Sequence, residues 1–353
     1  MKINVYPIND GNVGWWRCIW PAMAVAGAQT DHEIEIVPPL SAGSDFGLKF
    51  NTNTGRLDGL ERIPECDVAV MQIPRKATIA ASIGFLQEAG VGVVVDVDDD
   101  YKRPPKDSLA TQLLDIDEMT NYEWLRLAVR DADVFTCTTP SIARHYSRKA
   151  HIVPNYPPKD WLKIEKTTTD HPLQVGWTGY LSVKPRDLEV VGDGVARAMR
   201  ECGIETFATV GPEDAAHAVG WDGNSYATGY IYLDKYAQAL KDHIDVGIMP
   251  LQLTRFNNAK SWLTGLCMAA LGIPFVASPT DPYTELWQKY RLGASVLHPD
   301  DWFWMTENAI EHRNYHAHNS RYTVEKCRLT MEDQAEQWLN AWVEAGHKRG
   351  RKK

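Results

Sequence analysis

Four stretches of the chain combine residue types and spacings that can do chemistry on a charged or polyhydroxylated ligand. The first is Asn9-Asp10-Gly11-Asn12-Val13-Gly14, which follows an apolar run and has Arg17 one turn further on. Glycines let a backbone approach a ligand closely, and the N–H groups that open a helix attract anions. Full GxGxxG spacing is missing and no downstream acidic ribose partner is identifiable, so a ligand loop and a plain tight turn both stay open. Arg17 either aims at a ligand or is solvated. The second stretch is Asp96-Val97-Asp98-Asp99-Asp100-Tyr101. Four carboxylates in five positions repel one another, and a metal, basic partners, hydroxyl donors or solvent must relieve that cost. A divalent cation, ligand hydroxyls and a helix cap are the competing readings. Hydroxyl binding ranks first and metal last, because no second carboxylate or histidine cluster is spaced to complete a shell.

The third stretch is Gly176-Trp177-Thr178-Gly179, followed by Lys184, Arg186 and Asp187. Small residues and basic side chains at such a turn suit a diphosphate, although a glycine turn with solvated charges fits the spacing equally. The fourth, Pro250 to Lys260, leads into a helix that ends at Gly272-Ile273-Pro274. Here Arg255 and Lys260 flank a helix N-terminus, so that cations, the Ser261 hydroxyl and N–H groups converge on one anion. Of the four, this is the strongest signal.

The elements that must position these stretches read as two alternating series. Valine- and isoleucine-rich runs at Lys2 to Ile8, Ile34 to Val37, Asp67 to Ile73, Val91 to Val97 and Asp133 to Thr138 predict strands. Amphipathic stretches at Trp15 to Ala28, Ala77 to Ala89 and Asn121 to Arg130 predict helices between them, giving a parallel sheet covered on both faces. Val153-Pro154-Asn155-Tyr156-Pro157-Pro158 breaks the rhythm. Beyond it, strands at Leu173 to Trp177, Glu205 to Val210, Asp245 to Pro250, Pro274 to Ser278 and Ala294 to Leu297 alternate with helices at Asp187 to Cys202, Leu233 to Lys241 and Ser261 to Leu271. The expectation is an α/β protein of two Rossmann-like, doubly wound parallel-sheet domains facing a central cleft. Residues 1–157 form the first domain and 158–325 the second. Residues 326–347 form a C-terminal helix, expected to pack back on the first domain, and 348–353 a basic tail.

Length and composition agree with this. At roughly 150 residues per domain, 353 residues make about two domains. The content is 44% hydrophobic and 24% charged, which excludes disorder, collagen and coiled coil. No run of about 18 apolar residues offers a membrane span, and a secretory leader is not expected; the predicted location is cytoplasmic. The six cysteines are scattered without CxxC spacing, so free thiols are expected rather than zinc or thiol exchange. The formal charge is -9, yet five of the last six residues are basic. An acidic body does not suit a surface built to grip phosphate backbones, and the basic end reads first as a solvated tail. Most tryptophans belong in the core, with Trp15, Trp16 and Trp302 as candidates to stack on a sugar. His145 and His151 read as surface residues.

The order of these pieces resembles the two-domain glycosyltransferases of the GT-B type, in particular the retaining family 4 enzymes and their bacteriophage-encoded relatives. The pieces that carry the resemblance are Gly11 to Arg17, Val94 to Asp100, Ala132-Asp133-Val134 through Asn155, Gly176 to Gly179, and Asn258-Ala259-Lys260-Ser261 through Ser278. It implies a hexosyl or pentosyl transferase that moves sugar from a nucleoside-diphosphate sugar, held mainly by the second domain, to an acceptor hydroxyl that approaches from the first. No metal and no cofactor beyond the co-substrate is implied. Donor contacts fall on Gly11, Asn12, Gly14, Gly176, Trp177, Thr178, Gly179, Arg186, Asn258 and Ser261. Lys260 and Arg255 neutralise the leaving diphosphate, Asp98 and Asp99 orient the acceptor, and Arg17, Asp96, Asp100 and Tyr101 help to bind it. The family's paired glutamates fall on Ala259 and Cys267 here, which cannot accept hydrogen bonds as a carboxylate does, so Glu285 is the substitute candidate. DNA, protein and envelope glycan are all possible acceptors. A nucleotide-sugar epimerase of the same form and a noncatalytic two-lobed binding protein are the rival readings.

Overall fold

The computed structural model describes residues 1–28, 30–40, 46–54, 57–102, 121–147, 149–167, 171–182 and 186–350. These fall into two compact units. One holds the described residues up to Asn155 together with those from Met331 onward, and the other holds the described residues of Tyr156–Thr330.

The first unit is built on β1 (Lys2–Tyr6), β2 (Glu33–Ile36), β5 (Val68–Gln72), β6 (Gly92–Val97), β7 (Val134–Cys137) and β8 (His151–Ile152). They form one sheet in the order β2-β1-β5-β6-β7-β8, and all the pairings are parallel. A small antiparallel pair, β3 (Leu48–Phe50) and β4 (Leu57–Leu60), stands apart from it. Ile3, Val5, Val70, Val94 and Val95 are essentially without exposure, the burial that continuous apolar strands produce when helices cover both faces. Among the described residues four helices belong to this part of the chain: α1 (residues 12–27), α2 (Ala77–Glu88), α3 (Asn121–Asp131) and α4 (Pro140–Tyr146). The first is continuous but not regular, since Trp15–Ile19 forms a π-helical segment.

The second unit carries β9 (Gln174–Thr178), β10 (Thr206–Val210), β11 (Asn224–Ala227), β12 (Val246–Met249), β13 (Phe275–Ala277) and β14 (Ala294–Ser295). Their order is β11-β10-β9-β12-β13-β14, again all parallel. Its helices are α5 (Gly194–Glu201), α6 (Leu233–His243), α7 (Arg255–Ala259), α8 (Leu263–Ala270), α9 (Asp281–Tyr290), α10 (Asp301–Glu311) and α11 (Arg313–Lys326). Trp177, Val195, Met199, Phe207, Ile248 and Trp302 meet in its core.

The chain ends in α12 (Ala335–Gly350), which packs against α1, β5, β6 and β7 of the first unit. Trp338, Ala341, Trp342 and Ala345 form the buried stripe that requires such a partner. Lys348 and Arg349 belong to this helix, not to a solvated tail: Lys348 Nζ donates to the Asp133 carbonyl at 2.8 Å, and Arg349 pairs with the Asp133 carboxylate at 2.5 Å. The remaining basic residues, 351–353, lie outside the described residues.

Candidate functional site

In open parallel sheets ligands bind beyond the carboxyl ends of the strands, where the strand order reverses direction. In the second unit that point lies between β9 and β12. The loops leaving these strands contain two of the four stretches singled out from sequence. Asp187, 6% exposed, ties them together, its Oδ1 accepting from the Gln252 amide at 3.0 Å and from Asn257 Nδ2 at 2.8 Å. Arg186 is exposed beside it, and Lys184 lies outside the described residues.

Thr254 caps α7 through the Asn257 amide at 3.1 Å, which sets exposed Arg255 on its first turn. Lys260 ends α7 in extended backbone, with Nζ 4.3 Å from the centre of the Phe256 ring. Ser261 follows, its Oγ accepting from the Leu263 amide that opens α8. Arg255 and Lys260 therefore flank the five-residue α7, while Lys260 and Ser261 precede α8. Asn258 is engaged with the next loop, its Oδ1 accepting from the Asp281 amide at the start of α9 at 3.3 Å.

The turn after β9 is tight. Gly179 has φ 154, and a Cβ there would come within 2.6 Å of the Trp177 ring. Trp177 is 2% exposed and belongs to the core, and Thr178 is buried, its Oγ1 donating to the Val210 carbonyl and lying 3.1 Å from Tyr236 Oη. Gly176 is also buried. The turn thus offers backbone, not the Trp177 or Thr178 side chains, to a ligand. Ala259 and Cys267 are 0% and 1% exposed, so their replacement of the expected glutamates also removes those positions from the surface. Glu285 stands in the second turn of α9 instead of in a loop, paired with Lys289 one turn later. Sequence reasoning missed Tyr230 and Tyr232, an exposed edge-to-face pair with centroids 5.2 Å apart in the loop after β11. Their signal is the Gly229-Tyr230-Ile231-Tyr232 run between β11 and α6.

The strand order of the first unit reverses between β1 and β5. Gln72, 0% exposed, orders the loop there: its Oε1 accepts from the Ile8 amide at 3.0 Å and its Nε2 donates to the Val13 carbonyl at 2.9 Å. Gly14 is packed so closely that a Cβ would lie 1.9 Å from the Asn9 carbonyl oxygen. Gly11 precedes α1 and Asn12 is its exposed first residue. Ile73, at the end of β5, has φ 47, a strained value for a β-branched residue.

The four carboxylates at the end of β6 divide between two environments. Asp96 is 3% exposed and holds Arg17, 1% exposed, through Nε at 3.0 Å and Nη2 at 2.6 Å; Thr136 Oγ1 donates to it as well. Arg17 Nη1 reaches the Val153 carbonyl and Asn155 Oδ1, both at 2.8 Å, and the guanidinium lies 5.5 Å from the centre of the Trp338 ring. Arg17 is therefore neither solvated nor open to a ligand: buried charge requires this internal pairing. Asp100 is likewise at 0% exposure, with His145 Nδ1 2.9 Å from its Oδ2. His145 thus belongs to the site's support and not simply to the surface.

Asp98 and Asp99 are half-buried and left at the edge. Tyr101 Oη donates to Asp98 Oδ1 at 3.1 Å, and Thr138 Oγ1 donates to the Asp98 carbonyl. Burial, then the charges of Asp99 and Asp96, push the Asp98 carboxyl up to about 7, against the opposing pull of Arg17 and Tyr101. A carboxyl poised there can hold or release a proton near neutral pH. Among the described residues no group of three or more His, Cys, Asp or Glu is arranged to hold a metal ion. Trp16 and Trp302, at 7% and 2% exposure, are core residues, which leaves Trp15 partly exposed, its Nε1 donating to the Asp10 carbonyl.

Comparison with solved structures identifies the fold. AviGT4, a glycosyltransferase involved in avilamycin A biosynthesis, matches 99% of this chain and 98% of its own, with a TM-score of 0.56 and 11% identity. Anabaena HepE in complex with UDP matches 96% and 98%, with a TM-score of 0.54 and 12% identity. The fold is that of the GT-B glycosyltransferases. S. aureus TarM in complex with fondaparinux, α-GlcNAc-glycerol and UDP is also similar, with a TM-score of 0.51 and 9% identity. That match covers 84% of this chain and 64% of TarM, so the chain spans less than two thirds of TarM's length. No protein-family model and no curated protein sequence matches the chain.

Proposed function

We propose that the protein is a glycosyltransferase that moves a sugar from a nucleoside-diphosphate sugar, with UDP as the carrier, to an acceptor hydroxyl. The observation that carries this reading is the switch point of the second sheet, where Arg186, Arg255, Lys260 and Ser261 gather on loops held together by Asp187. UDP in two of the solved relatives supports the choice of carrier. Arg255 and Lys260 neutralise the departing diphosphate as the sugar–phosphate bond breaks, and the N–H groups before α8 add to that stabilisation. Backbone at Gly176 to Gly179 admits the phosphates, and Tyr230 and Tyr232 offer ring faces to the base.

The acceptor belongs to the first unit in this reading. Asp98 and Asp99 accept hydrogen bonds from its hydroxyls, while Asp96, Asp100 and Arg17 act as positioning residues beneath them. Tyr101 fixes Asp98. The reaction is read as retaining and independent of metal: the acceptor attacks from the face the diphosphate leaves, and a departing phosphate oxygen takes its proton. Lys260→Ala tests the assignment, with an expected loss of about 2–4 kcal/mol of transition-state stabilisation in kcat/KM for donor hydrolysis or transfer. Near-normal turnover would remove Lys260 from the site.

A further inference from the structure

A cavity of about 350 Å³ opens in the second unit at the entering ends of β13 and β14, opposite the edge that carries the diphosphate loops. Its volume falls within the range of small-molecule sites. Phe275, Met305 and Ala309 supply apolar lining, and among the described residues no acidic side chain lines it. The same cavity is lined by Arg291, Asn319, Ser320 and Thr323. Among the described residues none of these four side chains has a hydrogen-bond or ion-pair partner in the protein, although Ser320 is only 7% exposed. His316, whose pKa burial and then His312 hold below the usual value, stands beside Asn308 as an uncharged group near pH 7.

Among the described residues Arg291 is the one Lys or Arg on this lining. It closes α9 in left-handed backbone, φ 57 and ψ 34, where glycine is the usual residue. Its guanidinium is braced on the Trp287 ring at 4.7 Å. A strained backbone that places an otherwise unpaired guanidinium at a cavity, opposite uncharged donors and acceptors, is the arrangement that takes an anion with hydroxyls attached.

We propose that this cavity binds a small sugar bearing one phosphate or carboxylate, the anion on Arg291 and the hydroxyls on Asn319, Ser320 and Thr323. The ring face lies on Phe275 and Met305. The site is separate from the diphosphate loops and does not rest on the glycosyl-transfer reading.

Calorimetric titration of the full chain with glucose 6-phosphate and with glucuronate tests it, the two probes separating a phosphate from a carboxylate ligand. At least one is expected to bind. Arg291→Gly, which relieves the backbone and so keeps the fold, should weaken that binding at least about tenfold, as should Asn319→Leu. Lys260→Ala should leave it unchanged. The proposal is overturned if neither probe binds, if Arg291→Gly binds as well as the parent, or if Lys260→Ala abolishes binding and so assigns the probe to the diphosphate loops.

Discussion

Asp98 and Asp96 show how like charges two residues apart are put to different uses. Asp98 keeps its proton to about pH 7 because burial and neighbouring carboxylates disfavour its charge. Folding therefore raises its proton affinity, so the stability it contributes is full below the ordinary carboxylate range and is lost as pH rises towards 7. Asp98→Asn should melt higher than the parent at pH 8 and about equally at pH 4, by calorimetry at both values. In transfer assays the parent's rate should carry a limb with a midpoint near pH 7 that the variant lacks. A melting difference independent of pH would show that Asp98 is not the group titrating. Arg17 and Asp96 instead hold each other, and removing one leaves a buried, uncompensated charge. Arg17→Met should cost about 3–5 kcal/mol in urea unfolding, and pairing it with Asp96→Leu should recover part of that loss.

At the scale of elements, α12 is the piece on which the first unit depends. Trp342 is 1% exposed against that unit, so Trp342→Ala should cost about 3–5 kcal/mol in denaturant unfolding. The long strands were legible because β-branched apolar runs such as Gly92–Val97 have a single reading when both faces are buried. The two-residue strand β8 carries no such run, whereas β14 falls inside the strand read at Ala294 to Leu297, and the β3–β4 pair alternates Lys49 and Asp58 with apolar neighbours in segments too short to separate from loop. The stripe on α12 was visible, whereas what it packs against depends on pairings far away in sequence. The loops that leave β9 and β12 were also legible, since cations and a helix start lie within Arg255 to Ser261. The support for the carboxylates was not: Arg17 meets Asp96 across 79 positions and Asn155 across 138, and its inward aim depends on a π-helical segment that periodicity does not register.

For the whole molecule, the charge of -9 and the placement of its basic end bear on the acceptor. Deleting residues 348–353 would remove the anchors of α12 on Asp133 together with the last basic residues, confusing stability with binding. Deleting 351–353 alone separates them. If the acceptor is DNA, that truncation should weaken transfer and flatten its dependence on salt, while unchanged kinetics would leave protein or glycan as the acceptor. Among the described residues no helix is long and apolar enough to cross a membrane.

In the proposed function the switch point of the second sheet holds a nucleoside diphosphate. Thermal melting with UDP and UDP-sugars, comparing the parent with Lys260→Ala, tests it most directly. A ligand present at 100 times its dissociation constant should stabilise the parent by about 2.7 kcal/mol, and that gain should be largely lost in the variant. Equal stabilisation of both proteins, or of neither, would contradict the account.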